Sequence, residues 1–222
     1  MRVVSLVPSV SETLVAWGVT PVGITRFCEQ AGIATVGGTK DPNLERVVDL
    51  GPDLVVMDEE ENRREDYEAL RARGINVLAL AVRDVADVEP EMGRLADALG
   101  IAHPRLDPGP ARPTTTRAVV AIWRRPWRFL GPRTYGASLL ERAGVVVVPD
   151  DRGPYPGLSL DEARDAAPAV VIAPSEPYPF SERHRAELET VAPVVFVDGR
   201  DLFWWGARTP SALARVAAAL AP

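Results

Sequence analysis

Residues 43–56 read NLERVVDLGPDLVV, and residues 159–172 read SLDEARDAAPAVVI. Each opens on a residue suited to cap a helix, Asn43 or Ser159, and carries an acid two places on, Glu45 or Asp161. Each then runs through a short helical pattern to a Gly-Pro or Ala-Pro pair and finishes in a β-branched run. The copies start at 43 and 159, and their prolines, at 52 and 168, keep the same spacing. A helix-to-strand unit repeated in this way predicts two α/β lobes of similar plan.

The surrounding pattern agrees. Short Val-, Ile- and Leu-rich runs alternate with helix-like stretches, the signature of βα units on buried parallel sheets. In the first half, strands are predicted near Val3–Val7, Val22–Thr25, Leu54–Met57 and Val77–Leu80, and helices near Ser11–Trp17, Leu44–Leu50, Arg64–Arg73 and Val85–Leu99. The second half repeats the plan, with strands near Ala118–Trp123, Val145–Val148, Val170–Ala173 and Val194–Val197. Its helices fall near Tyr135–Arg142, Leu160–Ala166, Glu182–Thr190 and Pro210–Leu220. Between the halves lies IAHPRLDPGPARPTTTR, where four prolines block helix and favour an extended, semi-stiff chain. The expected organisation is therefore an N-terminal α/β lobe over 1–101, a linker over 102–117 and a C-terminal α/β lobe over 118–222. Both lobes are Rossmann-like, with parallel sheets around an interlobe cleft.

Composition removes several function classes. The 222 residues are 46% hydrophobic, enough for two cores, and a formal charge of −6 argues against nucleic acid or an anionic membrane as partner. Cys28 is the sole cysteine, so no intramolecular disulfide forms. The start, MRVVSLVPS, reads as a strand entering a turn, so the chain as written is expected to be cytoplasmic, or periplasmic or cell-surface where a leader has been removed. No G-x-S-x-G or G-x-G-x-x-G occurs, and GGTK at 37–40 lacks the spacing of a phosphate loop. His103 and His184, one in the linker and one on a charged helix, both read as solvated, and a His/Cys zinc site is excluded. These readings disfavour a cleft hydrolase or transferase and predict no catalytic residue and no cofactor.

Four of the five tryptophans fall in the second half. Trp123 and Trp127 bracket Arg-Arg-Pro after a strand, and Trp204 and Trp205 sit in DLFWWGAR with Arg208 close by. Loops after strand C-termini are where parallel α/β sheets hold ligands, so this cluster reads as a ligand surface, with core packing as the competing reading for each ring. Tyr155 in GPYPGLS, and Tyr178 and Phe180 in SEPYPF, extend it. The first lobe offers Arg26 and Phe27, then an acidic run ending in Asn62, which also reads as favourable charge ahead of a helix.

The stretches RVVSLVPSVSETLVAWGVTPVGITRFC, GGTKDPNLERVVDLGPDLVVMDEEEN, GPYPGLSLDEA and DGRDLFWWGAR, in this order, resemble the helical-backbone (class III) substrate-binding proteins of ABC importers for vitamin B12, haem and iron–siderophores. The resemblance implies a monomeric, non-catalytic binding protein that closes two lobes on a small-molecule metal chelate: a corrinoid such as cobalamin, haem, or a ferric siderophore. A cytoplasmic carrier or sensor of the same ligands is the alternative. Two departures stand out. Such proteins join their lobes by a long helix, which spans about 30 Å in 20 residues; here a Pro-rich linker stands in its place. The run after Arg26-Phe27 is Cys28-Glu29-Gln30, without the Cys-x-His of many relatives. The resemblance also assigns one acid per lobe to docking on a dimeric permease, and the repeat nominates Glu45 and Asp161, with favourable charge in the first turn of each helix as the competing reading.

Overall fold

The computed structural model describes residues 1–220. The chain forms two compact units that part within the proline-rich segment, after Leu106. Unit 1 holds Met1–Val82, Ala86–Leu106 and Trp205–Arg208; unit 2 holds Arg83–Val85, Asp107–Trp204 and the chain from Thr209 on.

Unit 1 is built on a parallel sheet of β1 (Val3–Ser5), β2 (Gly23–Ile24), β3 (Ala34–Thr35), β4 (Leu54–Asp58) and β5 (Val77–Leu80), in the order β3-β2-β1-β4-β5. Helices α1 (Pro8–Ala16), α2 (Leu44–Asp49), α3 (Arg64–Ala72) and α4 (Val85–Leu99) follow β1, β3, β4 and β5. Pro8 opens α1, where its fixed φ suits the first helical turn and its missing N–H costs nothing. One core cluster joins Val4, Leu6, Val55 and Met57 of the sheet region to Val47 of α2 and Leu70 of α3.

Unit 2 centres on β6 (Thr116–Trp123). Its C-terminal part pairs antiparallel with β7 (Arg128–Phe129), its first residues pair parallel with β8 (Val145–Val147), and its other side carries β9 (Val170–Pro174) and then β10 (Val194–Val197), both parallel. Helices α5 (Tyr135–Arg142), α6 (Leu160–Asp165), α7 (Arg185–Leu188, after a 3-10 turn over Glu182–His184), α8 (Gly199–Phe203) and α9 (Thr209–Ala219) complete it. Residues 101–115 hold no helix or strand.

Predicted and observed elements agree to within a few residues, with four departures. Two-residue β3 and β7 went unpredicted, α8 replaces the expected loop after β10, and the helix expected over Glu182–Thr190 shortens to a 3-10 turn plus α7. The 3-10 turn also overturns the reading of His184 as solvated. The residue is buried, with Ser181 N donating to its Nδ1 at 3.1 Å.

The repeated stretch is a repeated set of helix clamps. Asn43 Oδ1 accepts from Arg46 N at 3.0 Å, and Ser159 Oγ accepts from Glu162 N at 3.1 Å; the second copy closes a full capping box through Glu162. At the other end Gly51 and Ala167 both turn into the left-handed region, at φ of 55° and 49°. Arginines entering the preceding strands then cap the last carbonyls. Arg2 Nη2 donates to Leu50 O at 2.6 Å, and Arg117 Nη2 donates to Ala166 O at 2.7 Å. One chain says the same thing twice because each sheet needs a short helix stopped and turned into its next strand.

Candidate ligand-binding site

In a parallel sheet every loop that follows a strand leaves from one edge, and ligands gather where the strand order reverses. In unit 1 that point lies between β1 and β4. It is spanned by Asn62, whose Nδ2 donates to Leu6 O at 3.1 Å and to Thr39 O at 2.9 Å, while its Oδ1 accepts from Asp58 N at 2.8 Å. The side chain nominated as a ligand contact thus has both amide hydrogens engaged by the unit's own backbone.

Beside it the β2 loop presents Arg26 and Phe27. Arg26 grips Asp41 through two bonds of 3.0 Å, and its guanidinium lies 4.9 Å from the centre of the Phe27 ring, which is 53% exposed. Bonding to Arg26 holds the Asp41 carboxyl below the usual range. Gly38 permits the pair, because a Cβ there would collide with Asp41 Oδ1 and lie 2.8 Å from Arg26 Cζ. The site's one strongly perturbed acid is Asp58, at the end of β4. Burial pushes its pKa up to about 6, against the opposing pull of hydrogen bonds from Glu61 N and Glu60 N to Oδ1.

Unit 2 reverses its strand order between β6 and β9, and aromatic rings meet there. Trp123, at the end of β6, packs edge-on against Tyr178 of the β9 loop at 5.5 Å. Beneath them Trp127 stacks on Phe180 at 6.0 Å with planes 4° apart, and Tyr178 and Phe180 each meet His184 at 5.5 Å. Burial, then Arg183 and Arg124, lowers the His184 pKa. Arg124 is spent on Glu187 at 2.8 Å. Arg128 stands opposite Trp123 across the β6–β7 hairpin and donates to Tyr155 O at 3.4 Å, so the hairpin and the loop after β8 bring Trp123, Arg128 and Tyr155 together. The Trp123 and Tyr155 side chains are 44% and 42% exposed. They form the rim of a firm aromatic base, a surface suited to a flat or bulky ligand.

The remaining nominated residues lie elsewhere. Trp204 and Trp205 are buried, at 8% and 3%, and Trp205 and Arg208 fall in unit 1, although sequence order puts them in the second half. Arg208 there bonds Glu12 of α1 at 2.5 and 2.9 Å. The α8 helix, hidden from sequence by its five-residue length, ends immediately before the tryptophans. Glu45 and Asp161 project from α2 and α6, each 77% exposed, and bond Arg73 and Arg164 at 2.6 Å. Sequence places Arg128 among the arginines interleaved with the tryptophans and Asp58 in the acidic run of the first lobe, without singling out either. The RRPW turn was the available signal for Arg128, and the DEEEN run concealed which of its acids points inward. Among the described residues no three His, Cys, Asp or Glu side chains are grouped to hold a metal ion, and no helix is long and apolar enough to cross a membrane.

Residues 3–102 match the periplasmic binding protein family. The vitamin B12-binding protein of Salmonella choleraesuis is 27% identical, over 77% of this chain and 71% of its own. The periplasmic vitamin B12 binding protein of Vibrio cholerae superposes with a TM-score of 0.80 at 18% identity, over 99% of this chain and 96% of that one. A periplasmic heme binding protein from Pseudomonas aeruginosa gives 0.81 at 21% identity, over 98% and 91%. The α/β plan with parallel-sheet lobes is therefore the periplasmic-binding-protein fold, and these relatives are binding proteins.

Proposed function

We propose that this chain is a non-catalytic binding protein for a metal chelate of the corrinoid, haem or ferric-siderophore class, acting as the substrate-binding component of an ABC importer. The carrying observation is the exposed Trp123 and Tyr155 rim with Arg128 at the carboxyl edge of the unit 2 sheet, resting on the Trp127–Phe180 stack. Such a surface offers ring faces to a large chelate and a cation to its acidic substituents. Arg26 and Phe27 supply a smaller pair of the same kind on unit 1. Relatives that bind vitamin B12 and heme support the ligand class. The exposed acids Glu45 and Asp161 support a partner, with permease arginines taking over from Arg73 and Arg164.

A thermal-shift screen over cobalamins, haemin and ferric siderophores tests the reading. A ligand at 100 times its Kd adds about 2.7 kcal/mol of stability. Trp123→Ala and Tyr155→Ala should each weaken that ligand while the apo melting temperature holds. Absence of a shift with all three classes, or unchanged affinity in both variants, overturns it.

A further inference from the structure

We propose that unit 2 carries a second small-molecule site, for an organic monocarboxylate with a short apolar chain, in the groove between the proline-rich segment and the ends of α5 and α9. The groove has a volume of about 380 Å3, near the lower bound for small-molecule sites. Its walls are Pro108, Pro110 and Pro113 on one side and Leu213 and Ala217 of α9 on the other. The segment is held in place by its backbone: Arg112 N donates to Arg142 O at 2.9 Å, and Thr115 N to Gly144 O at 2.9 Å. These contacts lie where β6 and β8 begin, the opposite sheet edge from the Trp123–Arg128 hairpin.

Charge selects the occupant. Arg112 and Arg142 both line the groove, no carboxylate lines it, and neither arginine has an ion pair among the described residues. Arg142 uses Nη2 on Gly109 O, yet its Nε is buried with no hydrogen-bond partner. Two guanidiniums without a charge partner in one groove favour a carboxylate among possible occupants. The proline and leucine walls then cover the apolar remainder of the same molecule. A cation is repelled, and a neutral alcohol leaves both guanidiniums without a charge partner.

Sodium octanoate is the probe, with octylamine and octanol as chain-matched controls, followed by calorimetry and by amide shifts in the 15N-labelled protein. Octanoate should saturate with a Kd on the order of 0.1–1 mM, the range set by ligand efficiency for so small a molecule. The moving amides should be those of residues 109–112 and 213–217. Ala214→Trp fills the groove from an exposed helix position, so the fold is kept, and should weaken octanoate at least tenfold. Arg112→Gln should weaken it severalfold, and Arg128→Gln at the hairpin should leave it unchanged. Non-saturable shifts, octylamine binding as tightly as octanoate, or unchanged affinity in Ala214→Trp would each overturn the assignment, whatever the ligand screen at the aromatic rim shows.

Discussion

Asp58 and Asn62 sit four residues apart and show how burial reassigns polar side chains that look alike in sequence. Asp58 Oδ2 is buried without a hydrogen-bond partner, which penalises the charged carboxylate most. An acid whose folded-state pKa of about 6 exceeds its ordinary 3.8 binds its proton more tightly in the folded chain. Its cost to stability is therefore full above about pH 6, roughly 3 kcal/mol, and disappears as pH falls toward 4. Urea unfolding at pH 4.5 and 7.5 should show this gain in the native chain and lose it in Asp58→Asn, whose amide oxygen still accepts from Glu60 and Glu61. Equal pH dependence in the two would remove the claim. Asn62→Ala should cost about 3 kcal/mol, since it orphans Asp58 N and two carbonyls, and should leave ligand affinity of the folded protein unchanged. Sequence could place Asn62 at the right sheet edge; which way its amide turns depended on Leu6 O and Thr39 O, brought close only by folding.

At the scale of elements, the two copies of the helix-to-strand unit form an internal control. Gly51 takes its left-handed turn without a Cβ, whereas Ala167 takes the same turn with one, at a strain of about 1 kcal/mol. Ala167→Gly should therefore raise stability by about 0.5 kcal/mol after the entropy of the freer unfolded chain is deducted, and Gly51→Ala should lower it by about 1 kcal/mol. Urea midpoints decide this, and a destabilised Ala167→Gly would refute it. Ser159→Ala should cost about 1 kcal/mol by opening the capping box. These clamps were readable because caps, stops and prolines act within one turn of chain. The β7 strand and α8 were not, since two and five residues carry no period, and their form comes from what they pack on: β6 and the Pro154 and Pro156 carbonyls for β7, and α5 and α9 for α8.

For the whole molecule, the repeat places one exposed acid on each unit. Reversing both, Glu45→Arg with Asp161→Arg, should leave ligand affinity unaltered and abolish association with a permease; each lost exposed ion pair costs at most about 1 kcal/mol. Pull-down with the importer, alongside calorimetry for the chelate, separates the two effects. Retained association would end the docking assignment, and a fall in ligand affinity would show the acids to be part of the binding surface.

The sequence by itself determined the class of fold, the strands and longer helices, the repeated caps, and the edge of each sheet from which the loops after the strands leave. Those features follow from periodicity and local backbone chemistry, which act over a few residues. Tertiary structure alone decided which aromatics stay at the surface. Trp123 and Tyr155 remain open while Trp204 and Trp205 are buried, although in sequence all four lie at or beyond the end of an expected strand. It also decided which arginines are spent: Arg124 on Glu187, Arg208 on Glu12 and Arg26 on Asp41, with Arg128 left at the rim. Burial and charge pairing are set by partners as many as 196 positions away, and no local pattern encodes a neighbour at that distance.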